Sequence, residues 1–332
     1  MTELIGWIST LILCATISRQ VYAQWRTKST AGVSRWLFAG QLAASVGFVV
    51  YSFLLDNWIF VFSNVFLLFT ALLGQVLYTK NRLASDRRAD QGTPEDAWHS
   101  WPGLQAISTI TTAELAQPAK RVVIVAPHPD DEILMVGGLL QQLYAQGSSC
   151  LLIAVTDGEA SHPGSAEWTP ERLQRERPIE SLAALHALQI GLVEVKRLAY
   201  PDSELANCAG ALYDELVGLL RPDDVVFSTW SLDKHRDHEV CGTSVAAAAA
   251  LLGAKFIEVP VWTWHWAVPA DTRVPWSRAR RLVLDAAQVA RKQASMAVFH
   301  SQLGTDPDTG RPAVLPASML ARLSRPYEIF FL

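Results

Sequence analysis

Residues 122–132 read Val122-Val123-Ile124-Val125-Ala126-Pro127-His128-Pro129-Asp130-Asp131-Glu132. The β-branched run Val122–Val125 predicts a strand. Ile133–Tyr144 predicts a helix. An imidazole and three consecutive acids therefore sit where a strand hands over to a helix. Working outward, Leu151–Val155 reads as the next strand, and Thr169-Pro170-Glu171 caps a helix running to about Leu188. Further strands are predicted near Val193–Leu198, Val225–Thr229 and Phe256–Val259, and further helices over Ala209–Leu220 and His238–Leu252. Such alternation implies an α/β fold, a Rossmann-like and mainly parallel sheet with helices on both faces. Ligands in such sheets bind at the carboxyl ends of strands.

A second cluster, His235-Arg236-Asp237-His238, follows the Val225–Thr229 strand. Together the two clusters bring three of the eight histidines and up to four carboxylates to two strand ends. A carboxylate at a helix N-terminus is ordinary, but three in a row after His128-Pro129 exceed what a cap needs. Hydrolytic zinc sites use three N/O protein ligands and keep one position for water. The bound water becomes a usable nucleophile near neutral pH, and a nearby carboxylate is needed to take its proton.

The string Pro127-His128-Pro129-Asp130-Asp131-Glu132 resembles the first motif of the PIG-L/LmbE de-N-acetylases, and His235-x-Asp237-His238 resembles their second. Thr156-Asp157-Gly158-Glu159, Arg177…Glu180, Pro201-Asp202 and Lys292…His300-Ser301-Gln302 follow in the same order, over about 210 residues. The resemblance implies an LmbE-like fold over 119–332 and one zinc ion, with other divalent metals compatible with the same ligands. It implies His128, Asp131 and His238 as metal ligands and Asp130 as the general base that later protonates the leaving amine. It further implies His235 as the group that steadies the oxyanion, with Asp237 holding it in its charged or correctly oriented form. Arg177 and Asp202 are implied to hold sugar hydroxyls. The expected reaction is carbon–nitrogen amide hydrolysis, removing acetyl from an N-acetylglucosamine-type sugar.

The N-terminal third reads differently. From Leu37 to Thr79 the only acid or base is Asp56, tyrosines aside. Leu4–Trp25, Trp36–Leu55 and Trp58–Tyr78 each approach the ~20 residues that span a bilayer. Basic residues cluster at Arg19, Arg26, Lys28 and Arg35 and again at Lys80, Arg82, Arg87 and Arg88. An arrangement with the N-terminus outside and the catalytic domain cytoplasmic puts both clusters on one side. Ile5-Gly6-Trp7, Arg19-Gln20, Trp25–Ser29, Gly32-Val33-Ser34 and Asn57-Trp58…Asn64 resemble PQ-loop proteins, the SemiSWEET half-transporters above all. That resemblance implies a three-helix transmembrane domain over 1–82 and a homodimer through it. Arg19 stands where the family has its hinge proline, and Phe48 where it has a sugar-stacking Trp. Both departures favour anchoring over transport.

Residues 83–118 read as a polar linker, with Trp98, Trp101 and Pro102 near its end. Trp262-Thr263-Trp264-His265-Trp266 suits stacking on a sugar or lipid as well as packing, and His162 lies in a Gly/Pro/Ser loop. A net charge of −4 and the lack of a basic run exclude a nucleic-acid role. Four scattered cysteines without CxxC exclude a disulfide framework or zinc ribbon. The expected partners are a lipid bilayer and an N-acetylated sugar or glycolipid. The alternatives are an amidase of another sugar-linked amide and a sugar-transport protein with an accessory deacetylase domain.

Overall fold

In the computed structural model, Trp7, Ile8, Leu11, Ile12, Ala15, Ser18, Arg19, Tyr22 and residues 35–332 save 119 and 192 are described. Contacts divide the chain into Met1–Asp90 and Gln91–Leu332. Eight strands make one sheet in the second unit: β1 (Thr109–Ile110), β2 (Val122–Ala126), β3 (Cys150–Thr156), β4 (Glu194–Tyr200), β5 (Val225–Thr229), β6 (Lys255–Val259), β7 (Ala279–Val283) and β8 (Tyr327–Phe331). Their order is β1-β7-β8-β6-β5-β2-β3-β4. The β6-β5-β2-β3-β4 stretch is parallel throughout, whereas β8 runs antiparallel to both β6 and β7.

Every residue of β2 is buried, because helices cover both faces and neither face meets water. Val122, Ile124 and Ala126 join a core with Leu134 and Leu139 of α3 (Asp131–Ala145). Val123 and Val125 join a separate core with Leu212 of α5 (Leu205–Leu219) and Val245 of α6 (Arg236–Leu252). Between β3 and β4 runs α4 (Pro170–Ala187), opened by Thr169, whose side chain accepts from Arg172 N–H. The expected α/β sheet and its helices are present.

Three strands were not among those predicted from the sequence. β1 has two residues, and β7 reads Ala-Arg-Arg-Leu-Val. β8 reaches back to α3, where Glu328 accepts the N–H groups of Gly138 and Leu139 at 2.7 and 2.9 Å. Those donors are freed by a kink at Val136, and Lys292 completes the cluster 2.6 Å from Glu328. Of the stretch expected as a polar linker, 83–118, the first residues continue the helix Trp58–Gln91 and the rest, from Gln91, belong to the second unit. Trp98 is fully buried, its ring 5.2 Å from Trp264 and its indole N–H donating to Trp264 O at 3.0 Å. Packing of that Trp cluster outweighs the polarity of the residues before it.

The first unit holds α1 (Arg35–Leu54) and α2 (Trp58–Gln91). Large apolar side chains face outward, among them Phe48, Phe53, Trp58, Phe60 and Phe69, while Ser52, Ser63, Thr70 and Ala71 are buried. Ser63 and Thr70 satisfy their hydroxyls on carbonyls of their own helix. Among the described residues, no helix is long and apolar enough to cross a membrane. The three-helix transmembrane domain expected over 1–82 therefore lacks support there, and its first span falls largely outside the described residues.

Candidate active site

The turn from β2 into α3 is sharp. Asp130 lies at φ 144°, a left-handed conformation that costs a non-glycine residue about 1–3 kcal/mol. Its N–H donates to the Glu132 carboxylate at 3.0 Å, and Ser181 of α4 holds the other Glu132 oxygen at 2.5 Å. The strain is thus locked from two sides, and Asp130 and Asp131 point apart.

Asp131 turns toward the imidazoles. Its Oδ2 lies 3.2 Å from His128 Nδ1 and 3.2 Å from His238 Nε2. It also accepts the His128 N–H at 3.1 Å. His128 comes from the β2 end and His238 from the first turn of α6, so adjacent strands β2 and β5 bring the two motifs together. The other ring nitrogen of His128 lies 3.2 Å from both Asp202 Oδ1 and Asp237 Oδ2. Asp130 faces α4 instead. Arg177 donates to it at 2.9 Å, and to Pro129 O and Gly158 O at 2.8 Å each. Gly158, at φ 69°, is required there: a Cβ would fall 1.8 Å from the Arg177 guanidinium.

These contacts set the charges. Burial pushes Asp130 up to about 7, against the pull of Arg177. Burial also opposes charge on Asp131, but His238 and His128 outweigh it and hold that carboxyl far below its usual range. The same opposition is overcome on His238, which Asp131 and Asp233 hold up at about 9. Burial, with His238 and His128 beside it, drives His235 down to about 3, so its ring is neutral.

The eight expected residues converge, with two departures. Asp237 does not clamp His235. Its Oδ2 takes Ser203 N–H at 2.7 Å and faces His128, while Asp237 Oδ1 and His235 Nδ1 are buried without partners. The charged or correctly oriented form that the resemblance implied for His235 thus has no hydrogen bond from Asp237 behind it. Arg177, expected on sugar hydroxyls, is committed to Asp130 and two backbone carbonyls. Asp233 was not foreseen. It is fully buried and accepts His238 Nδ1–H at 2.9 Å. Trp262, weighed between stacking and packing, stacks on His235 at 5.8 Å, while Trp264 is buried in the core.

A cleft of ≈ 380 Å³ opens on this cluster, bounded by Ala160, Pro163, Ser203, Trp262, Gln302 and Val314. A larger groove, ≈ 690 Å³, lies along α4 and β4 but contains no imidazole. Donor atoms within 4.8 Å of one another come from His128, His235 and His238, and from His128, Asp202 and Asp237. Asp131 joins His128 and His238 through one oxygen. Two donors bound to a tetrahedral zinc at ~2.0–2.1 Å stand about 3.3 Å apart, close to the observed 3.2 Å. Asp131 is in neither of those groups, but its pairs with His128 and His238 stand at metal-ligand spacing, and carboxylate and imidazole donors together suit a divalent metal.

Residues 123–249 match the family model PIG-L, described as GlcNAc-PI de-N-acetylase. The PIG-L match runs from β2 through most of α6 and takes in every residue named above as a candidate ligand or base. Trp262, β7 and β8 lie beyond it. Solved structures similar to the chain include an N,N'-diacetylchitobiose deacetylase from Pyrococcus horikoshii, 19% identical over 57% of this chain and 73% of that one, with a TM-score of 0.43. Another is the zinc-inhibited form of a teicoplanin deacetylase, 16% identical over 64% and 97%, TM-score 0.47. A third is a conserved protein from Thermus thermophilus, 23% identical over 64% and 94%, TM-score 0.44. A comparison with curated proteins finds no match.

Proposed function

We propose that the chain is a zinc-dependent de-N-acetylase of an N-acetylglucosamine-type sugar. The observation that carries this reading is the split between adjacent acids: Asp131 faces two imidazoles, and Asp130 is held apart by Arg177. The PIG-L match supports the same chemistry. His128, Asp131 and His238 would hold the metal. Zinc bound there supplies Lewis acidity to the amide carbonyl and to water.

Asp130 takes the proton of the attacking water. The water oxygen bonds to the carbonyl carbon, the carbon–nitrogen bond breaks, acetate keeps that oxygen, and the amine leaves with the proton that Asp130 returns. A group at about 7 both accepts and returns a proton near neutral pH. Arg177 fixes the position of Asp130, and the neutral His235 offers an N–H to the developing oxyanion. Trp262 and Gln302 line the space for the sugar. The test is acetate release by the full-length protein from a panel of N-acetylglucosaminyl substrates, free and lipid-linked, with Asp130→Asn beside it. Release that needs both metal and Asp130 supports the reading. No release from any member, with metal bound, would turn it toward another sugar-linked amide.

We infer further that the enzyme is membrane-associated, and the basic residues at Arg19, Arg26, Lys28 and Arg35 and at Lys80, Arg82, Arg87 and Arg88 favour a catalytic unit on the cytoplasmic side. Large apolar residues turned outward, with small polar residues inside, offer a surface suited to lipid contact. A lipid-linked substrate would then share the bilayer with the enzyme. Flotation of full-length protein with liposomes tests this, and protein that stays in the aqueous fraction rejects it.

A further inference from the structure

The geometry points to Asp233 as the positioning residue that fixes how His238 presents its ring to a metal. The inference rests on the metal-dependent reading above. Asp233 lies in the loop between β5 and α6, five residues before His238 and outside the His-x-Asp-His string. Its carboxylate is fully buried. Oδ1 accepts Val261 N–H at 3.1 Å, Thr263 N–H at 2.8 Å and the Thr263 hydroxyl at 2.5 Å. Oδ2 accepts Trp262 N–H at 2.8 Å and lies 2.9 Å from His238 Nδ1.

Backbone N–H groups can only donate, so three of the five neighbours leave the carboxylate no role but acceptor. His238 must then carry its hydrogen on Nδ1. In the neutral ring, the lone pair falls on Nε2, which faces Asp131 Oδ2 at 3.2 Å. Two acceptors at that distance repel unless a proton or a cation joins them. Asp233 therefore turns His238 into an Nε2 donor and prevents the ring from flipping. The same carboxylate ties down residues 261–263, which carry Trp262 against the face of His235. One buried acid thereby sets two imidazoles of the site, one through a ring nitrogen and one through a loop.

Metal-stripped full-length protein, titrated with Zn²⁺ against a chromophoric chelator, tests this. Asp233→Asn is expected to weaken zinc binding about 10–100-fold, the usual cost of losing such an outer partner. Thr263→Val removes a bond to the other oxygen of the same carboxylate and is expected to leave zinc affinity near wild type. Equal losses in both variants would mean that the loop, not the ring, is what Asp233 serves, and would overturn the inference. So would wild-type affinity in Asp233→Asn. Should Asp233→Asn not fold, ¹⁵N-histidine spectra of the zinc-loaded wild type decide. His238, assigned by its loss in His238→Gln, is expected to be protonated at Nδ1 and metallated at Nε2, and the opposite tautomer would refute it. Wild-type protein that binds no zinc at all would refute the metal-dependent reading itself.

Discussion

Two regions of this chain reverse the usual rule of apolar inside and polar outside, for opposite reasons. In the first unit, Phe48, Phe53 and Phe69 face outward while Ser52, Ser63 and Thr70 are buried. At the carboxyl ends of β2 and β5, by contrast, Asp131, Asp233, Asp237 and His238 lie inside while the sheet around them is apolar. The hydroxyls of Ser63 and Thr70 bond to carbonyls of their own helix. The buried acids and imidazoles lean on one another and on backbone N–H groups, and Asp237 Oδ1 and His235 Nδ1 are left over. The first inversion speaks of what surrounds the region, the second of what it is built to hold.

The comparison can be broken most decisively at Asp130. Asp130→Asn keeps the size of the side chain but removes the proton acceptor, and acetate release is expected to fall about 10²–10⁴-fold. Unchanged melting temperature would show that the loss is chemical.

A smaller loss is expected from Gly158→Ala. The added methyl displaces Arg177 and with it Asp130, and a base misplaced by about an ångström costs on the order of 10²-fold in rate. Restored activity in Gly158→Ala carrying Arg177→Lys, whose shorter head leaves room, would confirm the route. Full activity in Gly158→Ala alone would refute it.

The buried imidazoles can be tested through protons. The His238 pKa is raised to about 9 in the fold, so its stabilising effect is complete below the unfolded value of about 6.5 and is lost as pH rises through about 9. Metal-free protein should accordingly lose stability over that window. A metal would take the place of the proton. Zinc binding at pH 7 should then release protons, and fewer of them above pH 9. Calorimetry in two buffers of different ionisation heat measures this, and no buffer dependence would show that the imidazoles are already neutral.

The mildest effect is expected on the other side of the comparison. Phe69→Ser, far from the cluster in sequence and exposed, should leave hydrolysis of a soluble substrate unchanged while reducing co-flotation with liposomes. If instead the change leaves flotation intact, the outward-facing apolar surface serves something other than lipid.

The parallel half of the sheet was legible because β2, β3 and β5 are short runs rich in β-branched and aliphatic residues with no charge among them. The strands β7 and β8 were not, since Arg280 and Arg281 interrupt the apolar run of β7 and Glu328 that of β8. Glu328 is there to cap the broken helix α3, a task no local pattern announces. In the site, the two motifs told which residues would meet but not how they would face. Asp237 lies two residues past His235, and the family resemblance implied that it holds that ring. At the start of α6 that spacing turns the two side chains apart, and Asp237 reaches Ser203 and His128 instead. Asp233 was invisible for a different reason: four of its five partners come from residues 261–263, joined to it only once β6 is in place beside β5.

The place of β8 in the sheet has a consequence for synthesis. It lies between β6 and β7, both of which leave the ribosome earlier. Until residue 331 has emerged, those two strands have a gap between them, and the broken backbone of α3 lacks its acidic partner. The nascent chain can therefore form its parallel strands while it is still growing. The helix that carries Asp131 is braced only when translation has passed the final strand, so a ribosome stalled anywhere before it would hold a chain whose two motifs are present but whose scaffold is open.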